Sequence, residues 1–311
     1  MTSPTPSSDP ATTGATRPGG AAHLAGRTVA RVGYGAMQLE RLHDDRAAGL
    51  AILRRALELG VDHIDTAQFY GNGLANELIR EAAGDGVLIA SKIGATPASG
   101  GPLPLRLAQR PEELRADLDA NLTSLGLDQI PLVNLRRADV GPGLIAEGDQ
   151  RVDIDDQLAV LIALREEGKI GEIGLSTVTA DDLRRALPAG IACVQNAYSL
   201  VTRDGEDLLQ LCVAENIAWV PYFPLGGAFP GMPKVTDEPA VIAAARSLGS
   251  TPSQIGLAWL LHHAPNVHLI RGTATLGHLE ENIAAGAISL DEEILASLDA
   301  IPSKRGDIIA G

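Results

Sequence analysis

"GYGAMQ", residues 33–38, decides between two ways of building an α/β protein. It closes the strand candidate "RVGYGAM" (31–37) and opens as a dinucleotide-binding turn does, with G-x-G. A doubly wound sheet needs a third small residue three positions on, a helix starting at once, and an acidic residue about 20 positions later. Here the third position is Gln38, and no long helix follows at once. The fingerprint fails, and the other parallel architecture has to carry the rest of the chain.

The segments that follow fit it. Further strand candidates are "VDHID" (61–65), "GVLIAS" (86–91), "IPLVNL" (130–135), "IGEIGL" (170–175), "IACVQ" (191–195), "IAWVPY" (217–222) and "NVHLI" (266–270). Helix candidates lie between them. Residues 44–60 carry Leu50, Leu53 and Leu57 at helical spacing and stop at Gly60. Residues 110–127 place Pro111 in the first turn and Leu114, Leu118, Leu122 and Leu125 on one stripe. Segments 153–170, 179–190 and 251–265 begin on Asp or Thr, as N-caps do, and a closing helix lies near 291–299. Eight strands alternating with helices predict a single-domain (β/α)8 TIM barrel over residues 24–311. Residues 1–23, rich in Pro, Ser, Thr, Gly and Ala, read as a disordered tail.

Composition narrows the partners. The formal net charge is −14 and the sequence pI about 4.9, which repels phosphate backbones and argues against nucleic acid. No apolar run is long enough to span a bilayer, and the first twenty residues lack the basic start and apolar core of a secretory signal. Cys193 and Cys212, the only cysteines, read as buried thiols, and no metal site is expected. A reducing, cytoplasmic setting is the simplest reading. Nothing in the sequence sets the oligomeric state.

Barrel chemistry sits at the C-terminal ends of the strands. The second strand ends on Asp65, with Tyr70 in the loop after it. The third ends on Ser91-Lys92, the fourth on Arg136-Arg137, the fifth on Ser176-Thr177 and the sixth on Gln195-Asn196. The seventh ends on Tyr222 and the eighth on Arg271-Gly272-Thr273. Asp65, Tyr70 and Lys92 suit proton transfer. A free phenol ionises near pH 10, too high for an ideal acid, and a neighbouring ammonium lowers that value. A carboxylate beside the lysine keeps it charged. Tyr70 could then protonate a carbonyl oxygen.

The runs "GYGAMQL", "ALELGVDHIDTAQFYGNGLANELI", "LIASKIG", "GKIGEIGLSTV", "VQNAYSLVTR", "IAWVPYFPLGG" and "GTATLGHLEENI" together resemble the aldo-keto reductases. The resemblance runs from about residue 28 to 300. It implies a TIM barrel, NAD(P)H bound without a Rossmann unit, and reduction of aldehydes or ketones, with Asp65, Tyr70 and Lys92 as catalytic residues. The family's fourth catalytic residue is usually a histidine after the fourth strand, and Arg136 stands there instead. An arginine stays protonated, so it cannot donate that proton. It can orient a carbonyl oxygen or pair with an anionic group of a substrate; as a bland alternative it forms a structural ion pair at the rim. "VNLR", "FPLGG" and the downstream "GT" resemble the pyridoxal reductase branch, whose substrate would be a small aromatic or heteroaromatic carbonyl compound.

By the same resemblance Ser176, Gln195 and the ring of Tyr222 would hold the nicotinamide. Leu225, Gly227, Gly272 and Thr273 would hold pyrophosphate and adenosine, with Glu281 and Asn282 facing adenine. His278 stands where many members have a phosphate-binding arginine, and Arg271 could take over that task, so NADP(H) is favoured over NAD(H). Thr177 replaces a common asparagine. The loops at 94–110 and 226–235 are expected to frame the pocket. Two other readings share the fold: a nicotinamide-binding regulatory subunit, and a non-redox lyase or isomerase.

Overall fold

Seven strands lie side by side, all parallel and in chain order: Tyr34–Gly35, His63–Asp65, Leu88–Ile93, Ile130–Arg136, Ile170–Ser176, Ile191–Gln195 and Ala218–Trp219. This computed structural model describes residues 17–98, 105–140, 144–227 and 231–304. The eighth strand, 267–270, is held by single parallel bridges, Val267 to Trp219 and Leu269 to Val32. The His268 amide donates to Trp219 O at 2.8 Å, and the Gly33 amide donates to Leu269 O at 2.8 Å. The ring therefore closes, and the (β/α)8 barrel expected from the sequence is the architecture.

Helices return the chain between strands, with the expected starts. Asp45, Asp153, Thr179, Thr251 and Asp291 each accept a first-turn amide through the side chain. Helix Pro111–Leu125 begins on its proline and ends at Gly126, whose φ of +67° suits a left-handed C-cap. Four helices of nine residues were not anticipated: Leu74–Ala82, Glu206–Ala214, Pro239–Ser247 and Leu276–Ala284. Two and a half turns carry too few periodic positions to stand out. Among the described residues, no helix is long and apolar enough to cross a membrane.

The tail boundary needs correcting. Residues 1–16 lie outside the described residues, but Ala21–Leu24 and Arg27–Ala30 form an antiparallel hairpin. Its turn uses Ala25 and Gly26, both at positive φ. Leu24 and Val29 pack on Leu88, Ala90, Leu132, Cys193, Ala218 and Val220, which close the barrel from below. Those two apolar side chains anchor the hairpin, and backbone bonds from Arg31 N to Gly20 O and from Val32 N to Pro18 O tie down the residues before it.

At the level of Leu88, with which His63 is in register, His63 and His268 meet edge to face, 5.9 Å between centroids. Burial holds His63 down at about 4; burial and then the neighbouring His63 hold His268 at about 3. Unfolded imidazoles take a proton near pH 6.5, whereas these refuse it until pH 4 or below. Their contribution to stability is whole above about pH 6.5 and is lost as pH falls towards those values. Asp117 has the opposite sign. Burial holds its carboxyl up at about 7, against the Gly94 and Ala95 amides and Arg106, so its contribution falls as pH rises from about 4 to 7. It offsets one of the two rings. A His63→Leu/His268→Leu chain should lose less stability between pH 7 and pH 5 than the parent, by roughly 2 kcal/mol per ring. Urea unfolding at both pH values checks this, and equal losses in both chains refute it.

Candidate active site

Side chains alternate across a strand, so one parity faces the barrel axis. On strand three that parity is Leu88, Ala90, Lys92; on strand four, Leu132, Asn134, Arg136; on strand six, Cys193, Gln195. Leu88, Ala90, Leu132 and Cys193 belong to the apolar floor, Asn134 accepts from Cys193 Sγ, and Lys92, Arg136 and Gln195 line a cavity of about 250 Å³ at the C-terminal mouth. Asp65, Ser176 and Tyr222 reach the same cavity from their strand ends, as does Tyr70 from its loop. Arg137 has the other parity. It pairs with Asp139 and donates to Gln157 Oε1 at 2.5 Å, so the structural ion pair at the rim belongs to Arg137.

Asp65 is the hub. Its Oδ1 accepts from Lys92 Nζ at 2.5 Å and its Oδ2 from Gln195 Nε2 at 2.7 Å. Lys92 also donates to the Thr66 carbonyl at 3.1 Å. Lys92 and Asp65 are 6% and 3% exposed, so this ion pair is out of water. Burial alone would strip the lysine's proton; Asp65 and Tyr70 outweigh it and raise the lysine above its ordinary range.

Lys92 Nζ lies 5.1 Å from the Tyr70 ring centroid. The expectation that the lysine lowers the phenol's pKa holds for that one contact but not for the net. Burial is the largest influence on Tyr70 and raises it. Lys92 and Arg136 pull it back and Asp65 pushes it up, and the sum stays above the ordinary value. Sequence position shows the lysine but not the depth of the phenol. The Tyr70 hydroxyl therefore keeps its proton in this pocket.

Arg136 stands over the Phe69 ring, 5.3 Å from its centroid, and no ion pair engages it among the described residues. Its carbonyl is fixed by Gln109 Nε2 at 2.8 Å. Arg271, from strand eight on the far side of the mouth, faces the same cavity without an ion pair among the described residues, and burial lowers its pKa.

Gln195 Oε1 is buried and has no hydrogen-bond partner among the described residues. Beside it the Tyr222 phenol lies 3.3 Å from Thr177 Oγ1, which lies 3.4 Å from Ser176 Oγ. A free acceptor, two hydroxyls and a flat ring fit a nicotinamide carboxamide and its ring. Thr177 sits at φ +62°, a left-handed conformation that disfavours a β-branched residue. Gly272 completes the strand-eight wall. Leu225, Gly227, Thr273, His278, Glu281 and Asn282 do not line this cavity. Thr273 O accepts from the buried Tyr34 hydroxyl at 2.7 Å, which ties the strand-eight loop to strand one. His278 and Glu281 are exposed on helix Leu276–Ala284, and Asn282 is buried there. Leu105, in the hairpin of Ala95–Pro97 with Leu105–Leu107, lines the cavity, as expected for the 94–110 loop. No described residue of 226–235 does. Residues 99–104 and 228–230 lie outside the described residues.

The chain matches the model of the Aldo/keto reductase family over residues 31–302. It belongs to that family. The pyridoxine 4-dehydrogenase of Escherichia coli K12 is 41% identical over 288 residues, covering 89% of this chain and 96% of that protein. An uncharacterized oxidoreductase of Schizosaccharomyces pombe is 34% identical, covering 87% and 86%. Among solved structures, an aldo-keto reductase of Klebsiella pneumoniae in complex with NADPH has a TM-score of 0.73 at 26% identity, covering 89% of this chain and 93% of its own. This aldo/keto reductase is therefore an oxidoreductase, and its fold is shared with that solved structure.

Sequence reading missed Gln195 as a partner of Asp65. It also missed Asn76 and Asn121, which lie behind Lys92. Their signal was present: Asn121 interrupts the leucine stripe of helix Pro111–Leu125 at an inward position.

Removing one member of a buried ion pair strands the other's charge. Lys92→Met should cost about 3–5 kcal/mol of stability, and Asp65→Asn/Lys92→Met should recover much of it. Urea titrations decide; a double variant no better than Lys92→Met refutes the coupling.

Proposed function

We propose that this aldo/keto reductase reduces a small aromatic or heteroaromatic aldehyde to its alcohol with NADPH, and that pyridoxal is one such substrate. The observation that supports this most is the cluster of Tyr70, Lys92 and Asp65 on one cavity with a free Gln195 acceptor. The likeness to a pyridoxine 4-dehydrogenase supports the substrate.

When bound, the dihydronicotinamide supplies a hydride to the carbonyl carbon. Ser176, Gln195 and the ring of Tyr222 hold it in this reading. Leu225, Gly227, Gly272, Thr273, Glu281 and Asn282 hold the pyrophosphate and adenosine, and Arg271 with His278 takes the 2′-phosphate. The Tyr70 hydroxyl donates its proton to the carbonyl oxygen. Its raised pKa keeps that proton available at neutral pH. Lys92 offsets the charge left on the phenolate, and Asp65 holds Lys92 protonated.

Arg136 cannot serve as the acid, but its planar fork suits an anionic oxygen. Pyridoxal carries an acidic ring hydroxyl beside its aldehyde. Arg136 pairs with that oxygen in this reading, which turns the carbonyl towards Tyr70.

Tyr70→Phe should lose about 10²–10⁴-fold in kcat while binding NADPH normally. A Tyr70→Phe enzyme with parental kcat would reject the assignment. Arg136→Met should lose at least about tenfold in kcat/KM with pyridoxal and much less with benzaldehyde, which lacks the ring hydroxyl. Equal losses on both would leave Arg136 no role in substrate choice. A carbonyl panel followed by NADPH absorbance and repeated with NADH tests the cofactor, and equal kcat/KM with the two would reject the preference.

A further inference from the structure

We infer that Asn121, with Asn76 and Ser91, is a positioning residue for the reaction proposed above, holding Lys92 from behind. The inference rests on the reading of Lys92 as Tyr70's partner.

Lys92 is gripped at two points that lie outside the cavity. Its own carbonyl accepts from Asn121 Nδ2 at 3.4 Å. Its ammonium donates to the Thr66 carbonyl at 3.1 Å. Thr66 is held by its side chain, which donates to Asn76 Oδ1 at 2.7 Å. Asn76 Nδ2 in turn donates to Asn121 Oδ1 at 3.2 Å, and Ser91 Oγ donates to the same oxygen at 2.6 Å. Asn121 Nδ2 also donates to Asp117 O at 2.9 Å. Asp117 Oδ2 accepts the Gly94 amide at 3.0 Å. One buried network thus fixes the strand from Ser91 to Gly94 and the carbonyl that the ammonium meets.

A purely adhesive role does not explain this choice of residues. Thr66, Asn76, Ser91 and Asn121 are all fully buried, and burying polar groups is costly unless each is matched. The same helix glues itself to the sheet elsewhere with Leu114, Leu118 and Leu125. Polar residues replace leucine at Asp117 and Asn121, opposite the run from Ser91 to Gly94 that carries the lysine. Hydrogen bonds fix a direction, and apolar contacts do not. An ammonium displaced by even a fraction of an ångström acts less on the phenol it serves.

The test uses Asn121→Leu, Asn76→Leu and, as the mildest change, Ser91→Ala, with Leu125→Ala as a control that loosens the same helix. The three polar variants should lower kcat by about threefold to thirtyfold with the NADPH dissociation constant unchanged. Burial is the largest influence on the Tyr70 ionisation, and the charged groups acting on it are Lys92, Asp65 and Arg136. With the ammonium displaced, the Tyr70 phenolate should appear at higher pH. It is read as phenolate absorbance, with the Tyr70→Phe titration subtracted, and needs no turnover. Leu125→Ala should lower Tm and move neither quantity. Polar variants with parental kcat and parental phenol titration overturn the inference, as do losses that Leu125→Ala reproduces. Should Tyr70→Phe itself keep its activity while the titration still moves, the proposed function fails and the positioning of Lys92 stands.

Discussion

The contact on which the site depends is the ion pair of Asp65 and Lys92, sunk into the mouth of the barrel. Strand pairing makes it possible. Asp65 is in register with Ala90 on the neighbouring strand, so Lys92, one pleat further, projects from the same face just above it. An unpaired charge at that depth would be neutralised or expelled. Paired, the two groups cancel and leave a fixed dipole in a dry place. Their shared value to stability is small, because desolvation consumes most of the attraction. What the pair supplies is a cation that stays charged, at a set position, beside a phenol.

That cation works against a larger opponent. Burial raises Tyr70, and Lys92 with Arg136 only moderates the rise. The balance suits a group that must arrive carrying a proton and surrender it when negative charge develops on an oxygen nearby. A more exposed phenol would lose the proton more easily but face water, where the ammonium's pull is weaker. The whole chain has a formal charge of −14, so no global field draws an anionic ligand inward. Arg136 and Arg271 oppose that field locally, from strands four and eight on opposite sides of the ring. An anion entering the cavity meets cations without carboxylate partners among the described residues.

Most of the barrel was legible because its signals are local. Short apolar runs of the right length, bounded by Gly, Pro and Asp, mark strands whatever they pack against. The strand-end residues followed from one rule about where barrel chemistry sits, and parity then sorts Arg136 from Arg137. The parts that escaped depend on distance or depth. The hydrogen bond from Gln195 to Asp65 joins residues 130 apart, and no local pattern announces it. The hairpin at 21–30 rests on Leu24 and Val29 finding the barrel floor. The sign of the Tyr70 shift turned on burial, which a sequence does not display. Asn121 is the instructive case, since a polar residue on an apolar stripe is visible without coordinates, yet its meaning needs the strand opposite.

Glycines set the height at which the site begins. A β-carbon on Gly174 would come within 2.0 Å of Asn134 Oδ1 and 2.8 Å of Cys193 Sγ. One on Gly33 would fall 2.1 Å from His63 Nε2. These strands leave slots into which their neighbours' larger side chains fold, as alternating layers in a barrel require. Asn134 and Cys193, bonded at 3.0 Å, thereby form a closed layer one step below Lys92, Arg136 and Gln195. The next layer up has no such filler on strand five, where Ser176 is small, and the cavity opens there. A larger residue at position 176 would raise the floor by one layer and fill the cavity that Ser176, Gln195 and Tyr70 line together. The depth of the pocket is thus set by side-chain volume in two adjacent layers, and the chemistry at its mouth depends on a packing pattern that carries no charge at all.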